Sequence, residues 1–566
     1  MRTRPSKTDD AMIRDDAGAR HSGKAPRVML AAGDDSPFLA ELVTRLKALR
    51  GIEFDELILT VPCRGGSGNR RESGGSSVWK SPDSSAGSVR GFLRRRFESF
   101  LLAPEAGESL QTLTRRLGIR LHESEDLFSN EVAGRIQKNC CDLLLMIGPG
   151  RLSDEAMRIP RLGVYRLHQS DLGLFRAGDP GFWELWHEKG LSEVAVHRLW
   201  APKNEVELIA RQEVPIFPYD TLDTLQDKLN EISLRIFPEI IQKIAEGKRI
   251  PVIEEANKRE VRPAPSIMEK VKLVTRLKRK QFNLIKMLRI GAKNAYFCLV
   301  LLFIYARDFY FQKIRNKNIL TVLYYHRITS LCQDGMTSSI REFEWQIRFL
   351  KKWYSLVSPL ELEDWLSDDP KIRGKKGVLL TFDDGYADNY FNALPILRKY
   401  HCPAIFFVST GFVGNDRQFD HDKILQPRLT FEKMSWAQLR ELDSSQVEVG
   451  VHSDSHVSLG KIPVDEAIRE IEISVDKYRE NLNRSPVLMS FPFGKKCDIS
   501  KELLEYLKSE RKFRMAFSAY GNKNISPVDR WNINRINIGA GNTGLIYWYK
   551  VAGEARTLVR PYEKCI

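Results

Sequence analysis

Four short blocks in the C-terminal half carry residue types suited to hydrolysis. Thr381-Phe-Asp-Asp-Gly385 sets two carboxylates side by side, directly after the apolar run Gly377–Leu380. Like charges at a buried strand end raise each other's pKa, and a cation shared with other ligands removes the conflict. Taken alone, an Asp-Asp-Gly turn is equally a plain structural device. His452-Ser-Asp-Ser-His456 follows a second strand signal, Val447–Val451. Histidines four apart meet one ion from a helical turn or a tight loop. Ser490-Phe-Pro-Phe-Gly494 closes a third strand. Pro492 fixes the backbone there, and the amide of Phe493 is a candidate donor to a developing oxyanion. Asp529-Arg-Trp-Asn-Ile-Asn-Arg535 adds an arginine able to orient a carboxylate.

These groups need strands to bring them together. Strand signals recur at Leu320–Tyr325, Gly377–Phe382, Ala404–Val408, Val447–Val451, Val487–Phe491, Met515–Ser518 and Ile533–Ile538. Helical patterns such as Phe391–Tyr400 and Asp465–Leu482 lie between them. The alternation predicts an irregular barrel-like sheet over 319–566, with reactive groups gathered at its strand ends.

In this order and spacing, the blocks resemble the NodB-homology family of polysaccharide and chitooligosaccharide deacetylases, carbohydrate esterase family 4. Tyr324-Tyr-His326 resembles the opening strand of a subset of that family. The resemblance implies a distorted (β/α) barrel with a divalent metal, usually zinc, on Asp384, His452 and His456. Asp383 would then be the general base, and the metal and the Phe493 amide would hold the oxyanion. Two departures stand out. Ser490 occupies the place where typical members carry an arginine, and no histidine follows His456. Arg535 is the candidate replacement for the first, and His326 the candidate general acid for the second.

Residues 27–250 alternate strand and helix. Arg27–Ala32, Leu57–Val61 and Leu143–Ile147 read as strands and Pro37–Leu49 as a helix, a pattern that predicts a Rossmann-like parallel sheet covered on both faces. Ile159-Pro-Arg-Leu-Gly-Val-Tyr-Arg-Leu-His-Gln-Ser170, with His197-Arg-Leu199 and a helical tail over Thr221–Glu246, resembles the formyltransferases. Those enzymes use an Asn, a His and an Asp around a formyl group carried by a folate derivative. Carried across, His168 and Ser170 are kept, Arg166 stands at the asparagine and Asn204 at the aspartate. An amide is no base, so the reading is a formyltransferase-like domain without ordinary formyl transfer. Two alternatives remain open: a bifunctional enzyme that replaces N-acetyl by N-formyl on an amino sugar, and a carbohydrate-binding scaffold of two decayed enzyme domains.

The net charge of the 566 residues is +15, but 258–317 alone hold 16 Lys/Arg against Glu260, Glu269 and Asp308. The basicity therefore belongs to a connector, 251–318, and no nucleic-acid partner is expected. Within it, Ala295–Ala306 is free of charge but too short to span a bilayer, for which about 20 apolar residues are needed. An interfacial helix on an anionic membrane surface is the expectation, with a helix packed between the two domains as the alternative. The eight cysteines form no CxxC pair, which argues for a reducing compartment. Residues 1–26 read as a disordered tail and 63–89 as a Gly/Ser-rich insertion. Together these readings predict a cytoplasmic enzyme, peripheral on the inner face of the membrane. Its expected substrate is an N-acetylated saccharide, in one version linked to lipid.

Overall fold

The computed structural model describes residues 25–60, 109–170, 180–200, 205–255 and 265–553. Breaks fall at 34, 125, 149–151, 249, 282–283, 368–371, 373, 426–427, 443–445 and 543. The expected tail, the 63–89 insertion and Asn204 lie outside these residues.

The first sheet is built from β1 (Arg27–Ala32), β2 (Glu53–Thr60), β3 (Arg120–Ser124), β4 (Leu143–Ile147), β5 (Val164–His168), β6 (Leu191–Trp200), β7 (Glu205–Pro215) and β8 (Glu254–Glu255). Its order is β3-β2-β1-β4-β5-β6-β7-β8. The strands β1–β5 are parallel and the rest antiparallel. The chain reverses its direction of travel across the sheet between β1 and β4, the crevice where doubly wound folds bind ligands. Successive residues of β1 enter opposite cores: Val28, Leu30 and Ala32 pack in one cluster, Met29 and Ala31 in the other. This two-residue period, buried on both faces, is why the strand reads as a continuous apolar run. Helices 37–47, 110–117 and 130–138 each open on a serine (Ser36, Ser109, Ser129) that accepts a first-turn amide. The long helix Leu222–Ala245 closes this half.

The second half adds β9 (Ile319–Tyr325), β10 (Arg327–Ile328), β11 (Thr337–Ser338), β12 (Ser355–Leu356), β13 (Lys376–Phe382), β14 (Ala404–Val408), β15 (Val447–Val451), β16 (Leu488–Ser490), β17 (Met515–Phe517), β18 (Asn524–Ile525) and β19 (Ile536–Asn537). Nine of these form a curled sheet of order β17-β16-β15-β14-β13-β9-β18, with β12 on β13 and β19 on β9. The seven expected strands are all present, within three residues at each end. Closure of the curl is supplied by one short segment. Ile533 bridges to Phe517 on β17, while Ile536 and Asn537 pair with Leu323 and Tyr324 on β9. Arg535 lies inside that segment.

In the connector, Ile267–Gln281 and Leu284–Phe309 are helices, and a π turn follows at Tyr310–Ile314. The second helix lies against the C-terminal half. Phe297, Val300, Leu301 and Ile304 pack on Tyr549 and Ala552 of helix Gly544–Val551 and its exit. The opposite side keeps Tyr296, Leu299, Leu302 and Phe303 exposed. Among the described residues, no helix is long and apolar enough to cross a membrane.

Candidate active site

The aspartates sit where β13 runs out. Asp383 still donates its amide to Tyr325 on β9, at 2.9 Å. Asp384 and Gly385 then turn the chain at φ +74° and +76°. Gly385 is needed here, because a Cβ would also come within 3.1 Å of Val408. Two strands over, after β15, the amide of His452 bonds Val408 at the end of β14, and the chain turns through Ser453 and His456, both at positive φ. The histidine pair is thus mounted on a tight loop, not on a helical turn.

Asp384 Oδ1 lies 3.2 Å from His456 Nε2 and 3.6 Å from His452 Nε2. One ligand atom from each of the three residues falls within 4.8 Å of the others. Four ligands at 2.0–2.1 Å around a tetrahedral ion stand about 3.3 Å apart, so the spacing suits a zinc-sized cation. Both Asp384 oxygens are buried, and among the described residues only imidazole nitrogens approach them. A buried carboxylate left in this way is costly, and a cation is the partner its surroundings lack. The His452 ring is already set for the task. Its Nδ1–H donates to the Ser490 carbonyl at 2.8 Å, which turns the Nε2 lone pair toward the aspartates. Burial lowers its pKa to about 4, so it is a neutral ligand.

Asp383 has a different partner. Arg535 closes on it in a two-pronged bond, 2.7 and 2.9 Å, with both residues buried. The guanidinium also donates to Ser490 Oγ at 2.6 Å and to the Ser518 carbonyl at 3.1 Å. Burial alone would push Asp383 up, but the charges of Arg535 and His452 and the Arg535 hydrogen bonds bring it below the usual carboxylate range. Phe493, at φ +59°, places a half-exposed ring 5.0 Å from that of His456, at the rim. His326 follows β9. Burial lowers its pKa against the opposing pull of the Asp384 and Asp383 charges.

His326 is not the only further histidine at the rim. His421 Nε2 lies 3.5 Å from Asp384 Oδ2 and 2.7 Å from the Tyr386 hydroxyl, which also donates to Asp422. Sequence reasoning missed it because Phe419-Asp-His-Asp422 belongs to no strand, and nothing in its pattern fixes a direction. The stacking of Phe419 on His421 is the one local signal.

In the first half, His168 ends β5, and its Nε2 is 2.8 Å from Ser170 Oγ. Arg166 shares that face of the strand, with its Nη2 3.6 Å from Met146 Sδ. It pairs in register with His197, whose ring lies 6.4 Å from that of His168. The expected site is therefore placed at three of its four positions.

Residues 371–510 match the family model described as polysaccharide deacetylase. The C-terminal half carries a polysaccharide deacetylase domain. That domain is of a family of hydrolases that act on carbon–nitrogen bonds other than peptide bonds. Asp383, Asp384, His452, His456 and Phe493 fall inside the matched span of this deacetylase domain, while His326 and Arg535 fall outside. Poly-beta-1,6-N-acetyl-D-glucosamine N-deacetylase of Staphylococcus aureus is 28% identical over 186 residues, covering 32% of this chain and 63% of the relative, just under two thirds of its length. IcaB from Ammonifex degensii is 27% identical, covering 41% of this chain and 97% of that one, with a TM-score of 0.34. A sugar N-formyltransferase from a Shewanella species is 11% identical, covering 44% of this chain and 87% of its own, with a TM-score of 0.29.

Proposed function

We propose that this chain is a metal-dependent N-deacetylase of a glycan containing N-acetylated amino sugars. The observation that carries this reading is the pairing of two unlike carboxylates. Asp384 is buried among imidazole nitrogens of His452 and His456, while Asp383 beside it is held by Arg535.

Asp384, His452 and His456 would hold a divalent ion, and one acid with two imidazoles suits zinc. Bound there, such an ion supplies Lewis acidity, activating a water and polarising the acetyl carbonyl. Asp383 takes the water's proton as its oxygen attacks the acetyl carbon; Arg535 keeps that carboxylate ionised and aimed. The Phe493 amide, at the rim, donates to the developing oxyanion. Collapse breaks the C–N bond, and His326 gives its proton to the departing nitrogen. The products are acetate and a free sugar amine.

The division we assign is a formyltransferase-like domain over 27–250, a basic connector over 251–318 and the deacetylase domain over 319–566. Arg166 beside His168 and Ser170 argues against ordinary formyl transfer in the first, since a cation there opposes protonation of the histidine. Labelled formyl-tetrahydrofolate bound and consumed by the full chain with an amino sugar would overturn that assignment. The exposed apolar side of the connector helix, in a segment rich in Lys and Arg, supports contact with an anionic membrane surface. A cytoplasmic enzyme on the inner leaflet, acting on a lipid-linked glycan, fits that contact. The test of the hydrolase reading is acetate release from N-acetylglucosamine oligomers. It should be abolished by chelator, restored by added zinc and absent in Asp383→Asn; release that ignores both would refute it.

A further inference from the structure

The two halves meet around one buried acid. Glu231, buried in the middle of helix Leu222–Ala245, accepts three hydrogen bonds, all from the deacetylase domain. Thr329 Oγ1 and the Ser330 amide each donate at 2.6 Å, and Asn392 Nδ2 at 2.9 Å. Thr329 and Ser330 end a short segment that begins at His326. Its backbone is held along its length: Asn389 Nδ2 donates to the His326 carbonyl, Asp388 accepts the Ile328 amide, and Asn392 Nδ2 donates to the Ile328 carbonyl. Asn392 thus ties Glu231 to Ile328 directly. Around this centre Arg341 pairs with Asp227, Arg235 with Glu432, and Arg45 donates to the Phe391 carbonyl.

We infer that Glu231 is a positioning residue for the deacetylation step, acting across the junction by fixing the segment that carries His326. The formyltransferase-like half thereby serves the hydrolytic reaction without touching substrate. The inference rests on the assignment of His326 as the acid. An amine leaves only when protonated, whereas an aryloxide leaves without help. Displacement of His326 by a fraction of an ångström therefore penalises amides selectively.

The experiment compares full-chain wild type, Glu231→Gln, Glu231→Ala and His326→Ala on β-1,6-linked N-acetylglucosamine oligomers and on 4-methylumbelliferyl acetate. Bound zinc and far-ultraviolet dichroism are measured on each. In Glu231→Gln an amide NH₂ replaces one acceptor and faces a donor, so the mildest variant already disturbs the junction. Both Glu231 variants should lower kcat on the oligomer about tenfold or more, leave KM and aryl ester turnover within about twofold, and keep one zinc per chain. His326→Ala should show the same selectivity, more strongly. Equal losses on amide and ester in the Glu231 variants, or no loss on either, would overturn the inference while the acid assignment stands. Equal losses in His326→Ala would remove that assignment and the inference with it.

Discussion

Arg535 Nη2 donates to Ser490 Oγ at 2.6 Å, and the shortness of the serine side chain is what lets the guanidinium reach across and grip Asp383. The arginine comes from the segment that closes the curled sheet, 152 residues beyond its partner. A charge-orienting role is thus filled from a different strand, and the small residue at 490 is the other half of that arrangement.

Removal of one partner of a buried ion pair leaves the other charge unpaired, which costs about 3–5 kcal/mol. Arg535→Met should lose stability on that scale in urea unfolding. Arg535→Met with Asp383→Asn should lose much less than the sum of the single variants. Additive losses would mean that the two side chains are energetically independent.

The cluster of Asp384, His452 and His456 predicts stabilisation by metal. Zinc at about a hundred times its dissociation constant should add about 2.7 kcal/mol to wild type, by mass action on the folded state. His456→Ala and His452→Ala should lose most of that gain, as read from thermal unfolding with and without zinc. Variants stabilised as much as wild type would place the ion elsewhere.

Asp388 offers a pH signature away from the metal ligands. Burial pushes its pKa up to about 7, against the Ile328 amide that donates to it. The folded chain therefore keeps a proton that the unfolded chain releases near pH 4, and this contribution to stability is lost as pH rises through about 7. Asp388→Asn retains an acceptor for Ile328 and carries no charge. Its advantage over wild type should be smallest near pH 4 and grow by a few kcal/mol up to pH 8. A gap that does not change with pH would contradict the account.

Leu302 and Phe303 are 70% and 59% exposed on the side of the connector helix that faces away from Tyr549. Burial of such side chains in an interface is worth about 1.5–3 kcal/mol each. Leu302→Asp and Phe303→Asp should each weaken co-sedimentation with anionic vesicles by tenfold or more and leave urea unfolding unchanged. Wild-type binding should fall as salt rises. Equal binding to neutral vesicles, or variants that bind as wild type, would contradict membrane contact through this face.

Much of this architecture is legible in the sequence, because its strands are buried on both faces and announce themselves as apolar runs ending in Asp, His or Pro. The strand ends marked the Asp383-Asp384 and His452–His456 blocks as candidates, and the family resemblance singled out Asp384, His452 and His456 among them. Arg535 was legible only as a residue type, since nothing local says that its segment closes the sheet onto β9 and β17. His421 was not legible, because the one-turn helix holding it, Asp420–Lys423, is too short to show a periodicity and is tied down by the Tyr386–Asp422 contact. Nor was the connector's pairing with Gly544–Val551: an apolar stretch looks the same from sequence whether one side or both find a partner. Nothing in the sequence separates Glu231 from the other acids of its helix, since its burial depends on a surface nearly a hundred residues further on.

The most direct test is acetate release by the full chain from N-acetylglucosamine oligomers, with zinc content measured in the same samples. Activity should track one zinc per chain through chelation and reloading. Asp384→Asn should lose zinc and activity together, while Asp383→Asn should keep the zinc and lose the activity. Acetate release from zinc-free protein, or full activity in Asp383→Asn, would contradict the division of labour between the two neighbouring aspartates.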